Sequence, residues 1–142
     1  MTVQHILAEK GPEVVTIPPD RTLADAARTL SERRIGAVVV ASPDQPVAGI
    51  LSERDIVRAL ARSGAAALEG SVRDHMTREV VTCERTMLIP EVMEVMTSGK
   101  FRHLPVVEDG RLIGIVSIGD VVKHRLAQVE SEQRAMRDYI AS

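Results

Sequence analysis

The chain repeats itself. Val15-Thr16 recurs as Val81-Thr82, and at the same offset of 66 the segment from Thr22 to Leu30, TLADAARTL, falls on Leu88 to Met96, LIPEVMEVM. After a connection one residue shorter in the second half, Gly49 to Val57 (GILSERDIV) falls on Gly114 to Val122 (GIVSIGDVV). A series of matches kept in order over most of 142 residues is the mark of a duplicated unit, and it restricts the fold to architectures that one small element set can build twice.

Each copy carries the same coarse pattern. A short β-rich segment, Val14 to Ile17 or Val80 to Cys83, precedes a run in which apolar residues return at spacings of three and four. In the first copy these are Leu23, Ala26, Ala27 and Leu30; in the second, Ile89, Val92, Met93 and Met96. Ala37 to Ala41 and Leu104 to Val107 read as the next strands, closed by the turns SPDQP and EDGR. The returning strands, Val47 to Leu51 and Leu112 to Val116, are apolar on both faces and so read as central. Helices follow, from Glu53 to about Arg62 and from Ile118 onward, the second ending in a charged stretch, VESEQRAMRD, that reads as a tail or a partner-binding helix.

The expectation is an α/β (α+β) protein of two β-α-β-β-α units, residues 1–69 and 70–142, each covering the open sheet face of the other about a pseudo-twofold axis. QHIL at Gln4 and RDHM at Arg73 occupy matching positions ahead of the two copies and read as equivalent lead-ins. Residues 64–70 form the looser connection.

Composition narrows the function. Eighteen Lys and Arg against twenty Asp and Glu leave a net charge of -2, which gives no global pull on a phosphate backbone. With Phe101 and Tyr139 as the aromatics there is no stacking platform for bases, so nucleic acid is not an expected partner. The lone Cys83 cannot close an intramolecular disulfide and reads as a buried structural thiol in a reducing cytosol. MTVQHILAEKG has no signal-peptide core and no run approaches a membrane span, so no membrane role is expected. Four scattered histidines make no metal set. No nucleophile elbow, Walker loop or dinucleotide fingerprint is present, so no catalytic residue is assigned.

The informative local feature is Gly49-x-x-Ser52-x-x-Asp55, echoed by Gly114-x-x-Ser117-x-x-Asp120. Ser at the N-cap and Asp three residues later make a capping box. The same geometry can serve a ligand: free N–H groups and a hydroxyl suit phosphate, and a carboxylate one turn on accepts from paired ribose hydroxyls. Duplication of the whole arrangement favours nucleotide binding over capping alone.

These junctions, with SERD at Ser52, IGAVVV at Ile35 and RHLPVVEDGRLIGIVS at Arg102, resemble a tandem pair of cystathionine-beta-synthase (CBS) domains, a Bateman module. The resemblance implies a homodimer in a flat four-domain disc that binds an adenine ligand between its domains and signals through an effector protein in trans. The implied ligands are AMP, ADP, ATP or NAD(H), with S-adenosylmethionine behind them and no required cofactor. Position by position, Ser52 and Ser117 would meet phosphate and Asp55 and Asp120 ribose. Thr16, Ile17, Pro18, Ile35, Gly36 and Ala37 in one copy, and Thr82, Cys83, Arg102, His103 and Leu104 in the other, would wall the base. Arg54 would add charge at phosphate, where the second copy has Gly119, so the two sites should differ. The alternative is an interaction or scaffold module whose nucleotide sites are vestigial.

Overall fold

The computed structural model describes residues 1–142. Six α-helices and five strands follow in the order α1 (Val3–Lys10), β1 (Thr16–Ile17), α2 (Leu23–Arg33), β2 (Ala37–Ser42), β3 (Gln45–Ser52), α3 (Glu53–Ser63), a 3-10 turn (Gly64–Glu69), α4 (Val72–His75), α5 (Ile89–Gly99), β4 (His103–Glu108), β5 (Arg111–Ser117) and α6 (Ile118–Ala141). The duplicated β-α-β-β-α pattern is present.

In the first copy β1 lies parallel to β2, with Thr16 opposite Val39, and β2 lies antiparallel to β3, with Ala37 opposite Ser52. Pro43 and Asp44 make the hairpin turn, and the register shifts between Val40 and Ser42. In the second copy Asp109 and Gly110 turn the hairpin at φ values of 50° and 75°. Asp-Gly with both residues left-handed matches the twist of the flanking strands. The expected first strand of this copy is reduced to one parallel bridge, Cys83 to Val106, where the Cys83 N–H donates to Pro105 O at 2.9 Å and Val107 N donates to Cys83 O at 3.0 Å.

The helices stop and start where the side chains dictate. Thr22 caps α2, accepting from Asp25 N at 3.1 Å while the Asp25 carboxylate accepts from Thr22 N at 3.3 Å. α5 has Leu88 at the cap and Pro90 in its first turn, where a missing N–H costs no helical bond. Both helices end on a left-handed cation, Arg34 at φ 55° and Lys100 at φ 59°.

Packing does not divide the chain at the boundary between the copies. Two compact units form, one from residues 1–13, 82–108 and 113–142, the other from 14–81 with 109–112. The lead-ins are therefore exchanged: α1 packs with the second copy, and α4 with the first. Val3 and Ile6 of α1 are fully buried among Ile89, Val92, Leu104 and Val121, whereas Val72 of α4 is buried with Ile17, Leu23, Leu51 and Ile56. Fully burying one such aliphatic side chain is worth about 1.5–3 kcal/mol, and this holds each lead-in to its core.

Backbone bonds repeat the exchange residue for residue. Leu23 N donates to Gly70 O at 2.9 Å and Val72 N to Arg21 O at 2.7 Å; at equivalent positions Ile89 N donates to Met1 O at 3.1 Å and Val3 N to Met87 O at 2.9 Å. The match between QHIL and RDHM is a match of structure, since both lie in short helices, but each packs with the copy that it does not immediately precede.

Candidate functional site

Each copy presents a strand-to-helix junction built the same way. β3 ends at Ser52 and α3 begins at Glu53; β5 ends at Ser117 and α6 begins at Ile118. The first amide of each helix is taken by the residue just ahead of the strand alongside: Glu53 N donates to Gly36 O at 3.0 Å, and Ile118 N to Arg102 O at 2.8 Å. This carbonyl fixes Gly36 and Arg102 against the junctions, although their side chains share nothing.

Both capping boxes close. Asp55 N donates to Ser52 Oγ at 3.3 Å, and Ser52 N and Oγ donate to Asp55 Oδ2 at 2.9 and 3.1 Å. In the second copy Asp120 N donates to Ser117 Oγ at 3.1 Å, and Ser117 N to Asp120 Oδ2 at 2.9 Å. The Ser–Asp pair is thus a helix cap in each copy, and any ligand role is added to that one. Gly49 and Gly114, three residues upstream, are sites of close approach. A Cβ on Gly49 would lie 2.7 Å from both Thr77 O and Met76 Sδ, and one on Gly114 would lie 2.5 Å from Leu7 Cδ2.

The junctions differ in their ionic partners. Asp55 is buried, with Arg58 Nη1 at 3.4 Å from its Oδ1, inside the same helix. Asp120 faces Lys10 of α1, whose Nζ donates to Asp120 Oδ2 at 2.9 Å and to Ile115 O at 2.8 Å. Burial pushes the Asp120 carboxyl up, but the Lys10 hydrogen bond and charge and the Ser117 bonds together outweigh it and hold the group below its ordinary value. An ion pair from Lys123 Nζ to Glu9 Oε1 at 3.0 Å and a contact of His124 Nε2 with Glu9 Oε2 at 2.8 Å also tie α1 to α6. The residue equivalent to Lys10 after the other lead-in is Glu79, which lies beyond the end of α4 and carries the opposite charge. Lys10 was absent from the expected site because its contact spans 110 positions. The one available signal was the QHIL–RDHM match carried three residues further, to a lysine aligned with a glutamate.

The other expected site residues divide. Ala37 is buried and pairs directly with Ser52, which brings Ile35, Gly36, Ala37, Ser52, Arg54 and Asp55 to one end of the sheet, Arg54 exposed on the first turn of α3. Thr16 and Ile17 pair with Val39 and Val40, farther along β2 than Ala37, and Pro18 lies beyond β1. In the second copy Arg102 is exposed, His103 and Leu104 open β4, and Thr82 is exposed. Cys83 is buried, its amide and carbonyl both spent on β4, and burial pushes its thiol up to about 11. Gly119 stands exposed where the first copy has Arg54.

The duplicated unit is matched in known proteins. The family model described as CBS domain covers residues 8–62 and again 72–127. The chain belongs to the CBS domain family. Among solved structures, the CBS-domain containing protein ATU1752 from Agrobacterium tumefaciens is 51% identical with a TM-score of 0.85, over 88% of this chain and 99% of that one. The CBS domain protein PAE2072 from Pyrobaculum aerophilum, solved in complex with AMP, is 30% identical with a TM-score of 0.75, over 84% of this chain and 89% of that one. CBSX3, a mitochondrial CBS domain-containing protein of Arabidopsis thaliana, is 32% identical over 98% of this chain and 71% of its own length. The second CBS match stops at residue 127, while α6 continues to Ala141.

No group of three or more His, Cys, Asp and Glu is arranged to hold a metal ion. No helix is long and apolar enough to cross a membrane.

Proposed function

We propose that this CBS pair is a non-catalytic regulatory module that binds an adenine nucleotide and reports its occupancy through a dimer and an effector protein in trans. The observation that carries the reading is the duplicated junction: a buried or half-buried aspartate one turn into a helix, beside a serine at its N-terminus, recurring on equivalent backbone in both copies. The AMP complex of PAE2072 supports an adenosine ligand. Serine and helix N–H groups suit phosphate, and the carboxylates suit ribose hydroxyls. AMP, ADP, ATP and NAD(H) all offer that chemistry.

The two copies are unequal sites in this reading. Asp55 has Oδ1 facing only the long, exposed Arg58 at 3.4 Å, and Arg54 stands ready for phosphate. Asp120 is already held by Lys10. The ammonium on Asp120 Oδ2 competes with ribose hydroxyls for that carboxylate's charge, so in this reading the first copy is the stronger site for a nucleoside without phosphate.

Calorimetric titration of the nucleotide-free protein with AMP, ADP, ATP, NAD(H) and S-adenosylmethionine tests this. Asp55→Asn and Asp120→Asn keep an acceptor for the serine amide, and the first should lower AMP affinity at least tenfold, the scale of a lost charged hydrogen bond. Absence of heat with every ligand at millimolar concentration would sink the proposal.

A further inference from the structure

Thirteen residues at the end of α6, from Glu130 to Ser142, are all exposed, Met136 at 62%, Tyr139 at 80% and Ile140 at 77%. The helix buries its other side earlier, through Val121 and His124. Val122, Leu126, Val129, Gln133, Met136 and Ile140 follow one another at intervals of four, three, four, three and four. That is the alternation of core positions in a heptad, and the seam it draws lies about a quarter turn around the helix from the Val121 face.

The charges beside the seam identify its occupant. Arg125 and Glu132 fall at the positions just before the core residues Leu126 and Gln133; Glu130 and Arg137 fall just after Val129 and Met136. When two such helices run parallel and in register, each of the first pair meets the residue five positions on in its neighbour. Arg125 then meets Glu130 of the second copy, and Glu132 meets Arg137 of the second copy. Both contacts are attractive, and symmetry makes each of them twice. Running the helices antiparallel sets Glu130 against Glu130, Glu132 against Glu132 and Lys123 against Arg137, all repulsive. Gln133 meets its own copy only in the parallel register, where two side-chain amides can bond to each other across the axis.

We propose that the outer seam of α6, Val122 to Ile140, forms a parallel two-stranded coiled coil with α6 of a second copy. The seam is about 28 Å long. It lies outside both cores and owes nothing to nucleotide binding, so it stands or falls independently of the ligand reading. It gives the module a homodimer contact with a fixed direction.

The full-length protein tests the pairing by sedimentation over a range of concentrations. Glu132→Arg turns two attractions into two repulsions and should raise the dimer dissociation constant about tenfold; adding Arg137→Glu should restore it. Ile140→Cys should cross-link to itself on mild oxidation, while the wild type, with Cys83 buried, should not. A protein monomeric throughout, a dimer indifferent to Glu132→Arg or not rescued by the double variant, or an Ile140→Cys chain that links to Val122→Cys in preference to itself would overturn the proposal. The altered side chains are exposed, so unchanged helical circular dichroism should accompany each variant except for the coiled-coil contribution.

Discussion

Replacing Lys10 by methionine removes one ammonium and keeps most of the side-chain stem. The lost contacts are the ion pair to Asp120 at 2.9 Å and the hydrogen bond to Ile115 O at 2.8 Å. Lys10 is 38% exposed and Asp120 25%, so solvent screens the pair, and the ion pair and carbonyl bond together should be worth about 1 kcal/mol. Urea unfolding followed by circular dichroism should show this at pH 7 as a midpoint lower by about 0.5 M. Asp120 is held below its ordinary pKa near 3.8 in the folded state. Its contribution is therefore fully present above that value and lost as pH falls through the lowered folded-state value. The gap between wild type and Lys10→Met should begin to narrow as pH falls below 3.8, and narrow at high salt, toward the part due to Ile115 O. A gap below about 0.2 kcal/mol at pH 7, or one unchanged by high salt, would refute the assignment of Lys10 as the partner of Asp120. In the proposed nucleotide site the same change should strengthen adenosine binding to the second copy by up to about fivefold and AMP binding by less, because the cation that competes for Asp120 also attracts phosphate.

Two further outcomes follow from packing. Gly49→Ala places its methyl against the carbonyl of Thr77, which is pinned by paired bonds to Ile50 at 2.9 and 3.0 Å, whereas Gly114→Ala meets only the end of the Leu7 side chain. The first should cost about 2–3 kcal/mol in urea unfolding and the second about 1 kcal/mol; the reverse order would show that the Thr77 segment yields. Cys83, with its thiol pushed up to about 11 by burial, should react with Ellman's reagent at pH 8 only when urea is added, and rapid labelling of the native protein would place it at the surface.

The features readable in the sequence are those set by local rules. Alternation and turn residues place β2 to β5 within a residue or two, and the Ser–x–x–Asp boxes appear as caps because a cap depends on four consecutive residues. The expected second first-strand, Val80 to Cys83, contracts to a bridge at Cys83, since the chain beyond it turns to receive α1: Gln4 N donates to Arg85 O at 2.9 Å and Val3 N to Met87 O at 2.9 Å. The amphipathic pattern of α1 shows that Val3 and Ile6 need cover but not whose cover, because either copy offers an aliphatic face. Lys10 was missed for the same reason. Arg54 against Gly119 is a difference the sequence already displays, but the one that the packing adds, a lysine at one aspartate and none at the other, depends on which lead-in goes where.

The exchanged lead-ins also bear on how the molecule is made. Residues 1–13 leave the ribosome well before the core that receives Val3 and Ile6, which is completed only when Val116 and Val121 have emerged. α1 is therefore seated only after the second copy has followed it, and it waits through the synthesis of the first copy with its apolar side uncovered. The first copy is delayed less, since it needs only Val72 to close. A cut in the 3-10 turn would not release two self-sufficient halves; each fragment would carry the other's missing helix, and neither would be complete until the two were mixed.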